Sequence, residues 1–160
     1  MSGFGALLAD LEQAGVRFVV VGGVAVIGHG VVRATKDLDV IVSTDEDAAV
    51  AIGAAMSLWS ATRPDGSAET RKLPSAGWPL HLRTAHGLID LLAEGAPPLN
   101  LAGLLARATS RRIDGVIAPL CSLADLVALK RIAGRDRDLA DLADLETAHG
   151  DLPDARDLGT

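Results

Sequence analysis

Hydrophobic and polar positions change their period several times along this chain. From Phe4 to Ala14 the apolar residues Phe4, Leu7, Leu8 and Leu11 recur at the spacing of one helix face, and Gly15 marks the end. Arg17 to Val21 shows no alternation, which predicts a strand buried on both faces. Gly22-Gly23 interrupts the run, and a short helix is expected over Val24 to His29, closed by Gly30. Asp37-Leu38-Asp39-Val40-Ile41-Val42 then opens with a period of two, the mark of a second strand. Ser43 or Thr44 is expected to cap a helix from Asp45 to Leu58, with Asp45, Glu46 and Asp47 answering the positive end of its dipole.

The second half follows the same logic. Ala61 to Ala76 is polar and holds Pro64, Gly66 and Pro74, so a loop is expected, with a short strand near Ala68 to Leu73. Trp78 to Arg83 and Leu88 to Leu92 predict two strands joined around His86-Gly87. Asn100 is placed to cap a helix through Arg107, and Asp114-Gly115 to turn a hairpin over Thr109 to Leu120. Ser122-Leu-Ala-Asp125 is a capping box for a helix with apolar Leu123, Leu126, Val127, Leu129 and Ile132. A last helix, Arg137 to Glu146, is expected to turn Leu139, Leu142 and Leu145 inward. Trp59 and Trp78 read as core residues. Residues 1–150 thus form one domain, and the polar stretch 151–160 is expected to fray.

Composition narrows the classes. The chain has 160 residues, 49% hydrophobic, enough for one core. Aromatics are only 2% and the net charge is -6, which argues against base stacking and against general polyanion binding. A local arginine cluster (Arg107, Arg111, Arg112, Arg131, Arg135, Arg137) points the other way. Cys121 stands alone, so no intrachain disulfide can form. The start lacks signal-peptide character, and no apolar run reaches the ~20 residues of a membrane span. No membrane association and a cytoplasmic location are expected.

Chemistry concentrates around Asp37 and Asp39. Two apart on a strand, they project to one face and repel each other unless a cation lies between them. Carboxylate oxygens suit Mg²⁺, which keeps positions open for substrate phosphate. Gly22-Gly23 leaves backbone amides uncovered at the start of a helix, where a triphosphate fits; an ordinary strand-to-helix turn is the alternative. Asp90 stands in an otherwise apolar strand, where an unpaired charge is costly. A backbone-bonded strand end is its alternative reading. His81 and His86 lie near Asp90 but lack the spacing of a zinc site, and read as surface or loop residues. No nucleophile elbow, dinucleotide fingerprint or P-loop is present.

The ordered set Gly22-Gly23, His29-Gly30, Arg33-x-Thr35-x-Asp37-Leu38-Asp39-Val40 resembles the signature of the nucleotidyltransferase superfamily that includes DNA polymerase beta. It is most similar to the small branch around AbiEii-type abortive-infection toxins. The run around Lys130, followed by Arg135-x-x-Asp138-x-x-Asp141, is similar to a second segment of these proteins. The resemblance implies an α/β (α+β), nucleotidyltransferase-like fold: a small mixed, mostly antiparallel sheet with helices packed on one side. It implies two Mg²⁺ ions, with Mn²⁺ as a substitute, held by Asp37, Asp39 and Asp90 as catalytic and metal-binding residues. Gly22, Gly23, Arg33, Thr35 and Lys130 would border the nucleotide. A snorkelling lysine on an amphipathic helix is the plainer account of Lys130. The expected activity is transfer of a nucleotide from a nucleoside triphosphate to an acceptor hydroxyl. An RNA or tRNA 3′ end is favoured, with a cognate antitoxin as partner. A lincosamide- or aminoglycoside-type small molecule is the alternative acceptor, and a non-catalytic nucleotide-binding regulatory module the alternative role.

Overall fold

The computed structural model describes residues 3–69 and 78–158. Six strands form one mixed sheet: β1 (Phe18–Val21), β2 (Asp37–Val42), β3 (Leu80–Thr84), β4 (Gly87–Ala93), β5 (Thr109–Ile113) and β6 (Val116–Leu120). Their spatial order is β3-β4-β2-β1-β6-β5. β1 pairs antiparallel with β2, β3 with β4 and β5 with β6, whereas β2–β4 and β1–β6 are parallel. All four residues of β1 are buried, as the absence of alternation predicts for a central strand.

Alternation decides the two faces of the β3-β4-β2 half. Leu80, Leu82, Ile89, Leu91, Leu38 and Val40 form one side, each at most 1% exposed. His81, Arg83, Leu88, Asp90, Asp37 and Asp39 occupy the other and are all at least partly open. A one-residue slip of any pairing would exchange the sets, and burying each large apolar side chain is worth about 1.5–3 kcal/mol, so the register is strongly specified. The register therefore also fixes where the carboxylates point.

The helices are α1 (Gly3–Gln13), α2 (Gly22–Gly28), α3 (Glu46–Leu58), α4 (Leu101–Arg107), α5 (Leu123–Ala133) and α6 (Asp136–His149). In α1, Leu7, Leu8 and Leu11 are fully buried, and Trp59 after α3 is buried with its indole N–H donating to Asp10 Oδ2 at 2.8 Å. Asp45, not Ser43 or Thr44, caps α3: its Oδ1 accepts from the Ala48 amide at 2.8 Å, while Ser43 donates its hydroxyl to the same carboxylate. Asn100 occupies the cap position of α4, but its side chain makes no capping bond; Glu94 accepts from the Leu101 amide instead. Ser122 caps α5 as expected, accepting from the Asp125 amide at 3.0 Å. Arg107 neutralises the buried Asp125 through Nε at 3.0 Å and Nη2 at 2.9 Å.

α6 is rotated from the expected orientation. Leu139 is 55% exposed, while Asp138, Asp141 and Leu145 face inward. The spacing i, i+3, i+7 places these three on one stripe, and α5 supplies the cation that lets two acids be buried there. The strand expected over Ala68 to Leu73 falls mostly outside the described residues; Ala68 itself makes a single bridge to Thr62. Beyond Gly150, where fraying is expected, Ala155–Leu158 forms a 3-10 turn against α5, with Leu158 buried and the Pro153 carbonyl accepting from Arg131. Among the described residues no helix is long and apolar enough to cross a membrane.

Candidate active site

A cavity of about 310 Å³ opens on the carboxylate face. Gly22, Gly23, Arg33, Thr35, Asp37, Asp39, Asp90 and Lys130 all line it. Every site residue singled out in the sequence is thus brought to one hollow. α5, α6 and the turn between them add Leu126, Leu129, Ile132, Ala133, Arg135, Arg137 and Asp138, so the lining here is part aliphatic and part arginine.

The centre of the site is a row across the sheet. Val21 on β1 faces Asp39 on β2, Asp39 faces Asp90 on β4, and Asp90 faces His81 on β3. Asp37 lies two residues from Asp39 on the same face. Asp39 therefore feels two like charges in a partly buried position. Burial, then the Asp90 carboxylate beside it, then Asp37 push its pKa up to about 7, against a weaker opposing pull from Lys130. His81 Nδ1 lies 2.8 Å from Asp90 Oδ1 at the outer end of the row. Among the described residues no group of three or more His, Cys, Asp and Glu side chains is arranged as a ready-made metal cage. The three carboxylates share a hollow without closing on a common point. Their donor set nevertheless fits a hard divalent cation: three oxygen-donor carboxylates of like charge on one face of the sheet.

The glycine turn is shaped by the same row. Gly22 has φ +65° and starts α2 directly, two residues before the expected start. A Cβ on Gly22 would lie 2.0 Å from Asp39 Oδ2, and one on Gly23 would lie 2.7 Å from Thr35 Oγ1. Only glycine lets this backbone stand against the carboxylate. Thr35 in turn donates its hydroxyl to the Asp37 carbonyl at 3.2 Å, tying the loop to the first residue of β2.

Opposite the carboxylates stands an ion network. Lys130 is 6% exposed, and its Nζ lies 2.9 Å from Asp138 Oδ1 and 2.8 Å from Asp141 Oδ2. Arg33 pairs with Asp141. Arg135 donates to Asp138 from Nε at 2.7 Å and from its amide at 3.2 Å. Burial works against the charge on Asp138, yet the bonds from Arg135 and Lys130 prevail and hold its pKa down to about 2. Lys130 lines the cavity while two buried carboxylates engage its ammonium. The sequence reading sets His81 aside as a surface residue, counts Arg137 only in the arginine cluster, and notes Asp138 and Asp141 only within the Arg135-x-x-Asp138-x-x-Asp141 segment, without placing them at the site. The i, i+3 spacing of Asp138 and Asp141 was the available signal for two of them.

No family model matches the chain, and no curated protein matches it. Solved structures do. The lincosamide antibiotic adenylyltransferase LnuA, with lincomycin bound, superposes with a TM-score of 0.62 at 14% identity, over 91% of this chain and 96% of that one. The ANT(2″)-Ia enzyme in complex with adenylyl-2″-tobramycin gives 0.57 at 12%, over 90% and 86%. A protein described as a nucleotidyltransferase from Thermotoga maritima gives 0.58 at 16%, over 86% of each chain. At these identities the likeness is one of fold, and the fold is that of nucleotidyltransferase-like proteins.

Proposed function

We propose that the chain is a divalent-cation-dependent nucleotidyltransferase that moves a nucleoside monophosphate from a triphosphate to an acceptor hydroxyl. The observation that carries this is the Asp39–Asp90 pairing across two parallel strands, with Asp37 on the same face and the bare Gly22-Gly23 backbone beside Asp39. Mg²⁺ held by Asp37, Asp39 and Asp90 would offset charge on the attacking and leaving oxygens of an in-line displacement. The Gly22-Gly23 backbone would receive the phosphates, where no side chain stands in the way. Arg33 and Lys130, held in place by Asp141 and Asp138, would present their N–H groups to the phosphates. Asp90, on the open side of the row, would accept the proton of the acceptor hydroxyl as its oxygen attacks the α-phosphorus and pyrophosphate departs.

For the acceptor, two features favour a small hydroxylated molecule over an RNA end. Arg107 and Arg135 of the arginine cluster are committed to Asp125 and Asp138, which shrinks the surface available to a polyanion. The chain also spans 96% of a lincosamide adenylyltransferase, so nothing larger than this fold is needed for such an acceptor. An RNA acceptor with a cognate antitoxin, as the toxin resemblance implies, is the second reading, favoured by Arg111 and Arg112 on the exposed edge strand β5.

The test is pyrophosphate release and label transfer from labelled nucleoside triphosphates with Mg²⁺, offered in parallel lincosamide, aminoglycoside and tRNA acceptors. Transfer by the wild type and none by Asp39→Ala supports the reading. Equal transfer by both, or none to any acceptor together with no triphosphate binding, overturns it. Tight triphosphate binding without turnover in any arm assigns the regulatory role instead.

A further inference from the structure

We propose that His81 is a positioning residue: it anchors the Asp90 carboxylate so that Asp90 presents its other oxygen to a divalent cation shared with Asp39. The inference rests on the proposed function, because it takes the three carboxylates as the cation site.

The geometry comes from strand register. His81 and Asp90 are directly opposed on β3 and β4, with Nδ1 and Oδ1 2.8 Å apart. A carboxylate can only accept, so Nδ1 carries the hydrogen in this contact. Asp90 has a second neighbour on its other flank, Asp39, directly opposed on β2. One side of Asp90 is thereby fixed by a donor and the other faces a fellow acid. An aspartate at this position can occupy several χ1 wells and a broad range of χ2, and the histidine bond narrows that choice. Carboxylates that ligate metals are commonly held this way, and loss of such an outer partner costs about 10–100-fold in metal affinity or activity.

Packing does not explain His81. Its side chain is 55% exposed on the edge strand of the sheet. An exposed pair of this kind contributes roughly 0–1 kcal/mol to folding, so its placement beside Asp90 is better accounted for by orientation than by stability. The same exposure means that substitutions at His81 leave the core untouched.

The experiment measures Mn²⁺ binding to the metal-stripped chain by electron paramagnetic resonance, alongside thermal unfolding. His81→Leu removes the donor, whereas His81→Asn keeps an N–H near the place of Nδ1. The expected result is Mn²⁺ binding about 10–100-fold weaker in His81→Leu, near-wild-type binding in His81→Asn, and unchanged unfolding for both. Wild-type affinity in His81→Leu overturns the inference while leaving the proposed function standing. So does an equal loss in both variants. Absence of Mn²⁺ binding by the wild type overturns the proposed function and this inference with it. Nitrogen NMR of the metal-free wild type gives an independent reading: a hydrogen on Nδ1 of His81 supports the anchor, and a bare Nδ1 overturns it.

Discussion

The Gly22 backbone faces the Asp39 carboxylate so closely that a methyl group on Gly22 would sit 2.0 Å from Oδ2. The turn and the acid are therefore packed against each other, and Gly22 cannot take a side chain while Asp39 stays in place. Gly22→Ala must also hold a side chain at φ +65°, a conformation that costs an L-residue about 1–2 kcal/mol. The variant is expected to fold with that loss of stability and to displace Asp39. A displacement on the scale of 1 Å costs on the order of 10²-fold in rate. Gly23→Ala meets the Thr35 side chain, 2.7 Å from Oγ1, and Arg33 Nη2 at 3.3 Å, without the positive φ of Gly22, and is expected to be milder. Urea unfolding and pyrophosphate release on the two variants check the order.

Asp39 makes a separate prediction about pH. Its folded pKa, about 7, lies above the ordinary 3.8 because burial and its acidic neighbours disfavour the charge. The folded metal-free chain thus binds this proton more tightly than the unfolded chain. The stability it supports is complete below pH 4 and is lost as the pH rises through 7, by an amount on the order of a few kcal/mol. Asp39→Asn removes the charge and is expected to be more stable than the wild type at pH 8 without metal, and no more stable at pH 4. Saturating Mg²⁺ should recover stability in the wild type only, by about 2.7 kcal/mol at one hundred times the dissociation constant. Thermal melts at both pH values, with chelator and with Mg²⁺, decide it.

How much of this was legible in the chain depends on the range of the interaction. The period-two pattern at Asp37 to Val42 and the lone charge in His86-Gly-Leu-Ile-Asp90 announce acids on the open face, because burial of Leu38, Val40, Ile89 and Leu91 leaves them no other side. The Ser122 cap is local and equally readable. The His81–Asp90 contact depends on the register of a hairpin, which a two-residue shift would alter, so His81 reads as a surface residue. The inward turn of Asp138 and Asp141 was hidden for a different reason. Apolar periodicity favours Leu139, and only a buried lysine on another helix makes the acidic stripe the inner one. The α3 cap was ambiguous because Ser43, Thr44 and Asp45 are all good capping residues side by side.

The Lys130 network should behave as a structural unit whatever its part in binding. Asp138→Ala removes one of the two carboxylates on a cation that is 6% exposed and leaves Arg135 unpaired as well. Breaking a buried pair from one side costs about 3–5 kcal/mol. The lower end is expected here because Asp141 still holds Lys130 at 2.8 Å. In the wild type the pKa of Asp138 near 2 lies below the ordinary 3.8, so its contribution is complete above pH 4 and is lost as the pH falls through 2. Acid unfolding of the wild type should therefore contain a component below pH 4 that Asp138→Ala lacks. Ellipticity followed from pH 5 to pH 2 on both proteins measures it.

Cys121 offers a probe of the same core from the opposite direction. It is fully buried at the junction of β6 and α5, its amide bonded to the Val20 carbonyl at 3.0 Å. Burial, with a smaller push from Asp125, raises the thiol to about 12. Thiolate is the reactive form, so the folded chain should resist thiol reagents at pH 8, and labelling should require opening. If β1, β6 and α5 open only with global unfolding, the labelling rate relative to the unfolded chain equals the open fraction. For a domain of ordinary stability that fraction is on the order of 10⁻³ or less. Labelling much faster than this, with global stability unchanged in urea, would show that the α5 wall of the cavity detaches on its own. Lys130 would then leave its carboxylates in the native ensemble and be free to meet an anionic ligand.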